Sequence, residues 1–380
     1  MGIDFAVRPL NIYWEMTQAC DLACRHCRAA AMPWGHPEQL TTAEGKALLR
    51  QILEFGAPYP HLILTGGDPL QRADLWELIA EARELGIPVA ITPAATPRLT
   101  QAVIGELPAA GVSALGLSLD GSTAARHDGI RQVEGTFERT LQALGWGREA
   151  GLAMQVNTLV SAETVDDIPA IYERLRGSGI RRWSLFFLIP MGRGAVLQPV
   201  TPERGEALMG WALDIGAEAP FVVASTEAPS FRRLAAMRRG GAAGAAARQF
   251  GTSTTAQVMA APGTAVHGGG HRHGGLPGVR DGHGIMFVSH RGEICPSGFL
   301  PIVAGNVRRD SIVEVYRNGV PFADLHDPSC FHDLCGVCGY NHICGGSRAR
   351  AYAATGDVLG SDPLCRLVAA EREHAATTWD

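Results

Sequence analysis

Asn11-Ile-Tyr-Trp-Glu-Met-Thr17 runs through Gln18-Ala19 into Cys20-Asp-Leu-Ala-Cys24-Arg-His-Cys27. The first part is an apolar, strand-like run. The loop after it carries three cysteines at a C-x3-C-x2-C spacing. Thiolates are soft ligands that favour iron–sulfur clusters, Zn or Cu(I). Three protein ligands on a four-iron cube leave one iron open, as a catalytic metal site keeps a free position. An open iron can hold a small molecule and pass it an electron. Spacing alone also admits a structural zinc site with His26 as fourth ligand, or a disulfide remnant.

Beyond the loop the chain alternates. Thr41-Thr42-Ala43-Glu44 fits a capping box and opens an amphipathic helix ending near Gly56. His61–Thr65 reads as a strand that stops at Gly66-Gly67-Asp68-Pro69, and a helix follows to about Gly86. Strands are expected at 87–92, 112–119, 152–160 and 180–189, with helices at 99–109, 136–150 and 164–176 between them. Strands alternating with helices at this interval indicate parallel βα units. Six strands are too few for a closed eight-stranded barrel. The expected fold is α/β: a partial, open parallel βα barrel of about six strands with a cysteine-rich C-terminal extension. Its active site should lie at the C-terminal strand ends, where βα loops gather.

A helix at 201–217, a strand at 221–225 and a helix at 230–239 come next. From Gly240 to about Gly284 the composition turns to Gly, Ala, Thr and His, which predicts a mobile loop or lid. His267, His271, His273 and His283 lie there; a glycine-spaced histidine cluster of this kind binds metal adventitiously more often than functionally. The expected domains are residues 8–218 for the barrel, 219–284 for a linker with this insert and 285–380 for the extension.

Composition excludes several classes. The net charge of −5 argues against a chain that coats nucleic acid, which is normally basic. No apolar run approaches the ~20 residues of a membrane span. The start, Met-Gly-Ile-Asp-Phe, lacks the basic and apolar regions of a signal peptide, so a cytoplasmic location is expected. Nine cysteines, an odd number clustered towards both ends, point in a reducing compartment to metal or catalysis rather than disulfides. Lys46 is the single lysine, which disfavours Schiff-base chemistry.

The three-cysteine loop, followed one βα unit later by Gly66-Gly67-Asp68-Pro69, resembles the cluster-binding and methionine-binding motifs of the radical S-adenosylmethionine (SAM) enzymes. His26 stands where an aromatic is commoner, and Asp68 where many relatives have Glu. Read alone, Gly-Gly-Asp-Pro is an ordinary turn. Ser118 and Asp120 end the fourth strand and Asn157 lies in the fifth; strand-end capping of the next helix explains them equally well. The resemblance instead places all three near the SAM ribose and carboxylate, and Pro190-Met191-Gly192-Arg193-Gly194 beside the adenine. Arg131, in Asp-Gly-Ile-Arg, matches the SPASM-type branch and is implied to meet the SAM carboxylate; a surface arginine is the plainer reading.

Near the end come Cys335-x2-Cys338-x5-Cys344 and, after Asp362-Pro363, Cys365. Four thiolates can close the coordination of a whole cluster, or of a zinc ion. With Gly345-Gly-Ser-Arg-Ala-Arg-Ala-Tyr352 the segment resembles the SPASM/twitch extension of radical SAM enzymes, a group that includes peptide maturases and haem and haem d1 pathway enzymes. The run is closest to the tetrapyrrole group. The full SPASM pattern has a further cysteine where this chain has Arg348, so one auxiliary cluster is implied, held by Cys335, Cys338, Cys344 and Cys365. Cys295 and Cys330 are left over.

The resemblance covers residues from about 10 to 370 apart from the histidine-rich insert. It implies an enzyme in which Cys20, Cys24 and Cys27 hold a 4Fe-4S cluster and SAM chelates the open iron. Reductive cleavage of SAM would yield a 5′-deoxyadenosyl radical that abstracts hydrogen from a substrate. A low-potential donor such as flavodoxin or ferredoxin is expected, with neither nucleic acid nor membrane as partner. A tetrapyrrole side chain is the favoured substrate, with Arg193, Arg308 and Arg309 expected to grip its carboxylates. A ribosomally made peptide is the alternative; with 19 residues before Cys20, its leader-binding domain would have to be a separate protein. A non-catalytic iron–sulfur or zinc protein is the rival of another class.

Overall fold

The computed structural model describes residues 3–238 and 278–377. Its centre is one ten-stranded sheet in the order β10-β9-β8-β1-β2-β3-β4-β5-β6-β7. The six expected parallel strands are β1 (Asn11–Glu15), β2 (His61–Thr65), β3 (Val89–Ile91), β4 (Val112–Ser118), β5 (Ala153–Val160) and β6 (Arg182–Phe187). Two more join them. The strand β7 (Val222–Thr226) lies parallel to β6, and β8 (Ile285–Val288) lies parallel to β1, with Asn11 opposite Ile285 and Trp14 opposite Val288. Two short antiparallel strands, β9 (Glu293–Cys295) and β10 (Gly305–Asn306), complete the β8 edge. The sheet stays open, since β7 and β10 are its ends.

Side chains alternate across each strand, which fixes what faces the helices and what faces inward. Ile12, Trp14, Leu62, Leu64, Val89, Ile91, Leu115, Leu117, Val156, Trp183 and Leu185 belong to the main hydrophobic core. Their neighbours of opposite parity form a second, narrow cluster of mostly small residues, Ile63, Ala90, Ala114 and Ala153, with Tyr13 against it. Further along the same strands the inward positions become Thr65, Thr92, Gly116, Ser118, Asn157 and Phe186, all of which line a cavity. Small residues low in the barrel and polar ones at its C-terminal end therefore leave room for a ligand there.

The helices follow local rules. The helix α1 (Thr42–Ile52) opens on the expected capping box: Thr41 Oγ1 accepts from Glu44 N at 3.3 Å, and Glu44 Oε2 accepts from Thr41 N at 2.8 Å. Such a cap contributes about 1 kcal/mol. Gly45 lets this helix close on the strand, because a Cβ there would stand 2.8 Å from Trp14 Cη2. The helices α2 (Leu75–Glu84) and α3 (Gln101–Ala110) occupy their expected places. A short helix, α4 (Ala124–Arg131), precedes α5 (Thr136–Glu149) and lies outside the sequence expectations. Its Asp128 caps α5, accepting from Gly135 N, Thr136 Oγ1 and Phe137 N at 2.7–2.8 Å. The helices α6 (Ile168–Leu175), α7 (Pro202–Gly216) and α8 (Ser230–Arg238) complete the barrel side.

The extension is tied back to the barrel by arginines. Arg350 donates to Phe187 O and Leu188 O at the end of β6, and to Glu227 O just after β7. Arg308 is bonded to Glu44, Glu38 O and Arg291 O. Most of the histidine-rich stretch, with His267, His271 and His273, lies outside the described residues. Among the described residues no helix is long and apolar enough to cross a membrane.

Candidate active site

The cavity at the C-terminal strand ends has a volume of about 320 Å³. It brings together nine of the residues singled out in the sequence: Cys20, Cys24, Cys27, Gly66, Gly67, Ser118, Asp120, Arg131 and Asn157. Loops separated by more than 130 residues converge on it because each follows the C-terminal end of a parallel strand.

The cysteine loop is held through its backbone. Cys20 N donates to Met32 O at 2.8 Å, and Arg25 N to Ile130 O at 2.9 Å. Arg193 clamps the loop, its N donating to Cys27 O at 3.0 Å, Nε to Cys24 O at 2.9 Å and Nη1 to Ala31 O at 2.8 Å. Each sulfur accepts an N–H: Cys20 from Leu22 N at 3.4 Å, Cys27 from Ala31 N at 3.4 Å, and Cys24 from Arg131 Nη1 at 3.5 Å. Donors aimed at sulfur stabilise thiolate ligands and tune the metal they hold. Burial pushes the Cys20 thiol up to about 12, so a cationic iron is what would keep it a thiolate.

Gly66 and Gly67 answer to the chain as well as to a ligand. Gly67 N donates to Thr17 O and Asp68 N to Ala19 O, each at 2.7 Å, so the turn after β2 is laced to the segment leading into Cys20. A Cβ on Gly67 would lie 2.3 Å from Ala19 O, and Gly66 has φ +152° with Thr17 O 2.6 Å from its Cβ position. Asp68 points away from the cavity. It is fully buried and accepts from Leu70 N, Ala94 N and Thr96 Oγ1. Burial raises it to about 6, against the opposing pull of those donors.

Asp120 and Arg131 form a buried ion pair at 2.5 Å. Burial, the largest influence, would raise Asp120, but the Arg131 guanidinium together with His26, His127 and the Leu159 N–H outweighs it and holds the carboxyl below its usual range. Asn157 Oδ1 accepts from Gln155 Nε2 at 2.7 Å. Neither Pro190 nor Gly192 lines the cavity, and Gly192 sits against the cysteine loop. Gly192 has φ +52°, and a Cβ there would meet Arg28 O at 2.4 Å.

Three buried polar atoms of the cavity wall lack a hydrogen-bond partner: His26 Nδ1, Arg131 Nε and Arg193 Nη2. Each unpaired buried group costs about 1–3 kcal/mol, so the wall fits a polar ligand. The donor chemistry of three thiols fits iron–sulfur chemistry. Among the described residues no three His, Cys, Asp or Glu side chains stand close enough to hold a single metal ion. A cluster several atoms wide takes thiolates spread further apart than one ion with bonds of ~2.3 Å does.

The substrate-gripping arginines expected from the sequence are otherwise engaged. Arg193 is committed to loop carbonyls, Arg308 to Glu44, and Arg309 lies exposed beside Asp310 at 3.4 Å. The cavity also has residues that sequence reading missed. Tyr13, Phe186, Phe187, Phe287 and Phe299 give it aromatic walls, and Arg28, stacked on Phe287 at 4.7 Å, pairs with Glu15. Glu227 directly follows β7, with φ +58°. It accepts from Ser347 Oγ at 2.6 Å and faces Asp281. Burial first, and then the Asp281 carboxyl, pushes Glu227 well above the carboxylate range. A polar residue just past a predicted strand end was the available signal for it.

Cys335, Cys338, Cys344 and Cys365 line a second, smaller cavity, together with Gly346 and Arg233. Gly346 has φ +65°, and a Cβ there would lie 3.3 Å from Cys335 Sγ and 2.6 Å from Arg348 Nη2. Burial raises Cys344 to about 12. Cys295, buried in β9, and Cys330 line neither cavity.

Residues 14–175 match the Radical SAM superfamily. The chain is 35% identical to the AdoMet-dependent heme synthase of Methanosarcina barkeri, over 94% of this chain and 96% of that protein. It is 29% identical to a mycofactocin maturase of Mycobacterium ulcerans, over 94% and 88% of the two chains. The fold is similar to that of Streptococcus suis SuiB bound to precursor peptide SuiA, with a TM-score of 0.67 at 17% identity, covering 95% of this chain and 76% of that one.

Proposed function

Because this chain belongs to the radical SAM superfamily, and is therefore an enzyme that uses SAM and a 4Fe-4S cluster, we propose that it acts on the carboxylate side chains of a tetrapyrrole in haem-type biosynthesis. The observation that carries this reading is similarity along nearly the whole of both chains to the Methanosarcina barkeri heme synthase. The aromatic cavity supports it, since a planar macrocycle can stack on Phe and Tyr rings.

Cys20, Cys24 and Cys27 would hold the cluster, and Gly66 and Gly67 would offer backbone groups to the SAM amino group. Ser118 and Asn157 would meet its polar groups, and the Pro190–Gly192 segment its adenine. Cluster and SAM together supply a one-electron cleavage of the sulfonium that generates a hydrogen-abstracting radical. The chain's own tasks are to orient the substrate carbon and to keep water out. Asp68, Asp120 and Arg193 position the loops that do so. Asp120 also fixes Arg131, whose free Nε remains available to a carboxylate.

In the same reading, Cys335, Cys338, Cys344 and Cys365 hold an auxiliary 4Fe-4S cluster in a C-terminal domain. Electrons come from a flavodoxin- or ferredoxin-type donor in the cytoplasm. The test is anaerobic incubation of the reconstituted protein with SAM, dithionite and an iron porphyrin bearing propionates. Loss of carboxylate side chains, followed by mass spectrometry, is expected. An unaltered porphyrin alongside modification of a peptide would favour the maturase alternative, which the mycofactocin relative supports.

A further inference from the structure

Each cysteine site has an arginine N–H on one of its sulfurs. Arg131 Nη1 lies 3.5 Å from Cys24 Sγ, and Arg348 Nη2 lies 3.7 Å from Cys335 Sγ. The two arginines differ in what cancels their charge. Arg131 is paired with Asp120 at 2.5 Å, so the first site has a neutral pair beside it.

Arg348 is completely buried and has no carboxylate within ion-pairing distance among the described residues. Its partners are Gly360 O at 2.7 Å, Val358 O at 3.2 Å, Gly346 O at 3.4 Å and the ring of Phe331 at 4.5 Å. Arg280 repeats the pattern over the same ring at 5.3 Å. Its donors go to Leu325 O and Gly278 O, and its Nε is buried without a partner. The nearby Asp362 is spent on Ser347 N and Leu364 N, with Arg350 at 3.5 Å. Two buried cations with no carboxylate at ion-pairing distance among the described residues are unfavourable unless an anion completes the site. A cluster held by four thiolates is an anion, and more so when reduced.

We propose that Arg348, backed by Arg280, supplies the counter-charge of the cluster at Cys335, Cys338, Cys344 and Cys365 and thereby raises its reduction potential. Positive charge and N–H donors at sulfur favour the more negative, reduced form. At the first site Arg131, the arginine on a sulfur, is neutralised by Asp120, and Arg193 spends its donors on loop carbonyls, so the donor at sulfur carries an uncancelled charge only at the auxiliary site. That asymmetry suits a site that takes up the electron left after substrate oxidation. Arg348 stands where the SPASM pattern has a further cysteine, so the residue that removes one cluster tunes the other. The proposal rests on the auxiliary-cluster reading above.

The test is a potentiometric titration of the anaerobically reconstituted full chain, read by electron paramagnetic resonance, for wild type, Arg348→Gln and Arg348→Lys. Arg348→Gln should lower the auxiliary midpoint by about 59 mV or more, a tenfold change in a one-electron equilibrium. The signal of the first cluster should stay in place, and Arg348→Lys should retain most of the wild-type potential. An unmoved auxiliary potential in Arg348→Gln with full iron content would overturn the proposal while leaving the auxiliary cluster intact. Should Arg348→Gln lose its iron, Arg280→Gln decides: a smaller shift of the same sign is expected, and no shift overturns the proposal. A wild-type chain with only about four irons would remove the auxiliary cluster itself, and the proposal with it.

Discussion

Arg131 stands 2.5 Å from Asp120 and 3.5 Å from the sulfur of Cys24. One carboxylate thus neutralises the cation that touches a candidate cluster ligand. Breaking a buried pair by removing one partner strands the other charge, at a cost of about 3–5 kcal/mol. Asp120→Asn should therefore lower stability by roughly that amount and reduce iron retention. Asp120→Asn/Arg131→Met should recover much of the loss, since no charge is left unpaired. Denaturant unfolding under anaerobic conditions gives the comparison, and equal losses in both variants would contradict the pairing argument.

Gly67 is confined by backbone. With its Cβ position 2.3 Å from Ala19 O, Gly67→Ala must push the turn after β2 off the segment leading into Cys20. The expected result is at least a tenfold loss of SAM cleavage, read as 5′-deoxyadenosine formed per minute, with reduced iron uptake. Gly105→Ala is the control. It lies inside α3 with open space around it, and should be neutral or stabilising by about 0.5–1 kcal/mol.

Glu227 carries a pH signature. Its folded-state value is raised, so the folded chain binds its proton more tightly than the unfolded chain does. Its contribution to stability is complete below the unfolded value of about 4.3 and is lost as pH rises from there towards the raised value. Groups facing it are Asp281, Ser347 and Arg350. Glu227→Gln keeps the shape of the neutral acid and removes this loss. Its melting temperature relative to wild type should climb with pH across that interval. A difference independent of pH would contradict a raised Glu227 carboxyl.

Iron content separates the two cysteine sites. The reconstituted chain should hold about eight irons, two clusters of four. Cys335→Ala/Cys338→Ala should hold about four and still cleave SAM. Zinc in place of the second four irons would assign that cavity to a different metal.

Much of the barrel was legible because a strand buried on one face and open to a cavity on the other writes its alternation into the sequence. Ile12 and Trp14 against Tyr13, or Leu62 and Leu64 against Ile63, are examples. The pairing of β8 with β1 was not legible, because it joins residues about 270 positions apart and register between distant strands leaves no local mark. The helix α4 has only His127 and Ile130 buried, too few for a periodic signal. The cysteines and the glycine turn could be read because their chemistry resides in residue type and spacing. The arginines could not. Arg193, Arg308 and Arg348 turned to carbonyls, a carboxylate or a sulfur that only the fold brings near.

The central claim is that this cavity aims radical chemistry at a tetrapyrrole side chain. The most direct measurement uses an iron porphyrin deuterated on its propionate methylenes, incubated anaerobically with SAM and dithionite, with 5′-deoxyadenosine analysed by mass spectrometry. Deuterium in the deoxyadenosine, matched by loss of porphyrin carboxylates, is the predicted result. Deoxyadenosine formed without deuterium, beside an intact porphyrin, would contradict the account.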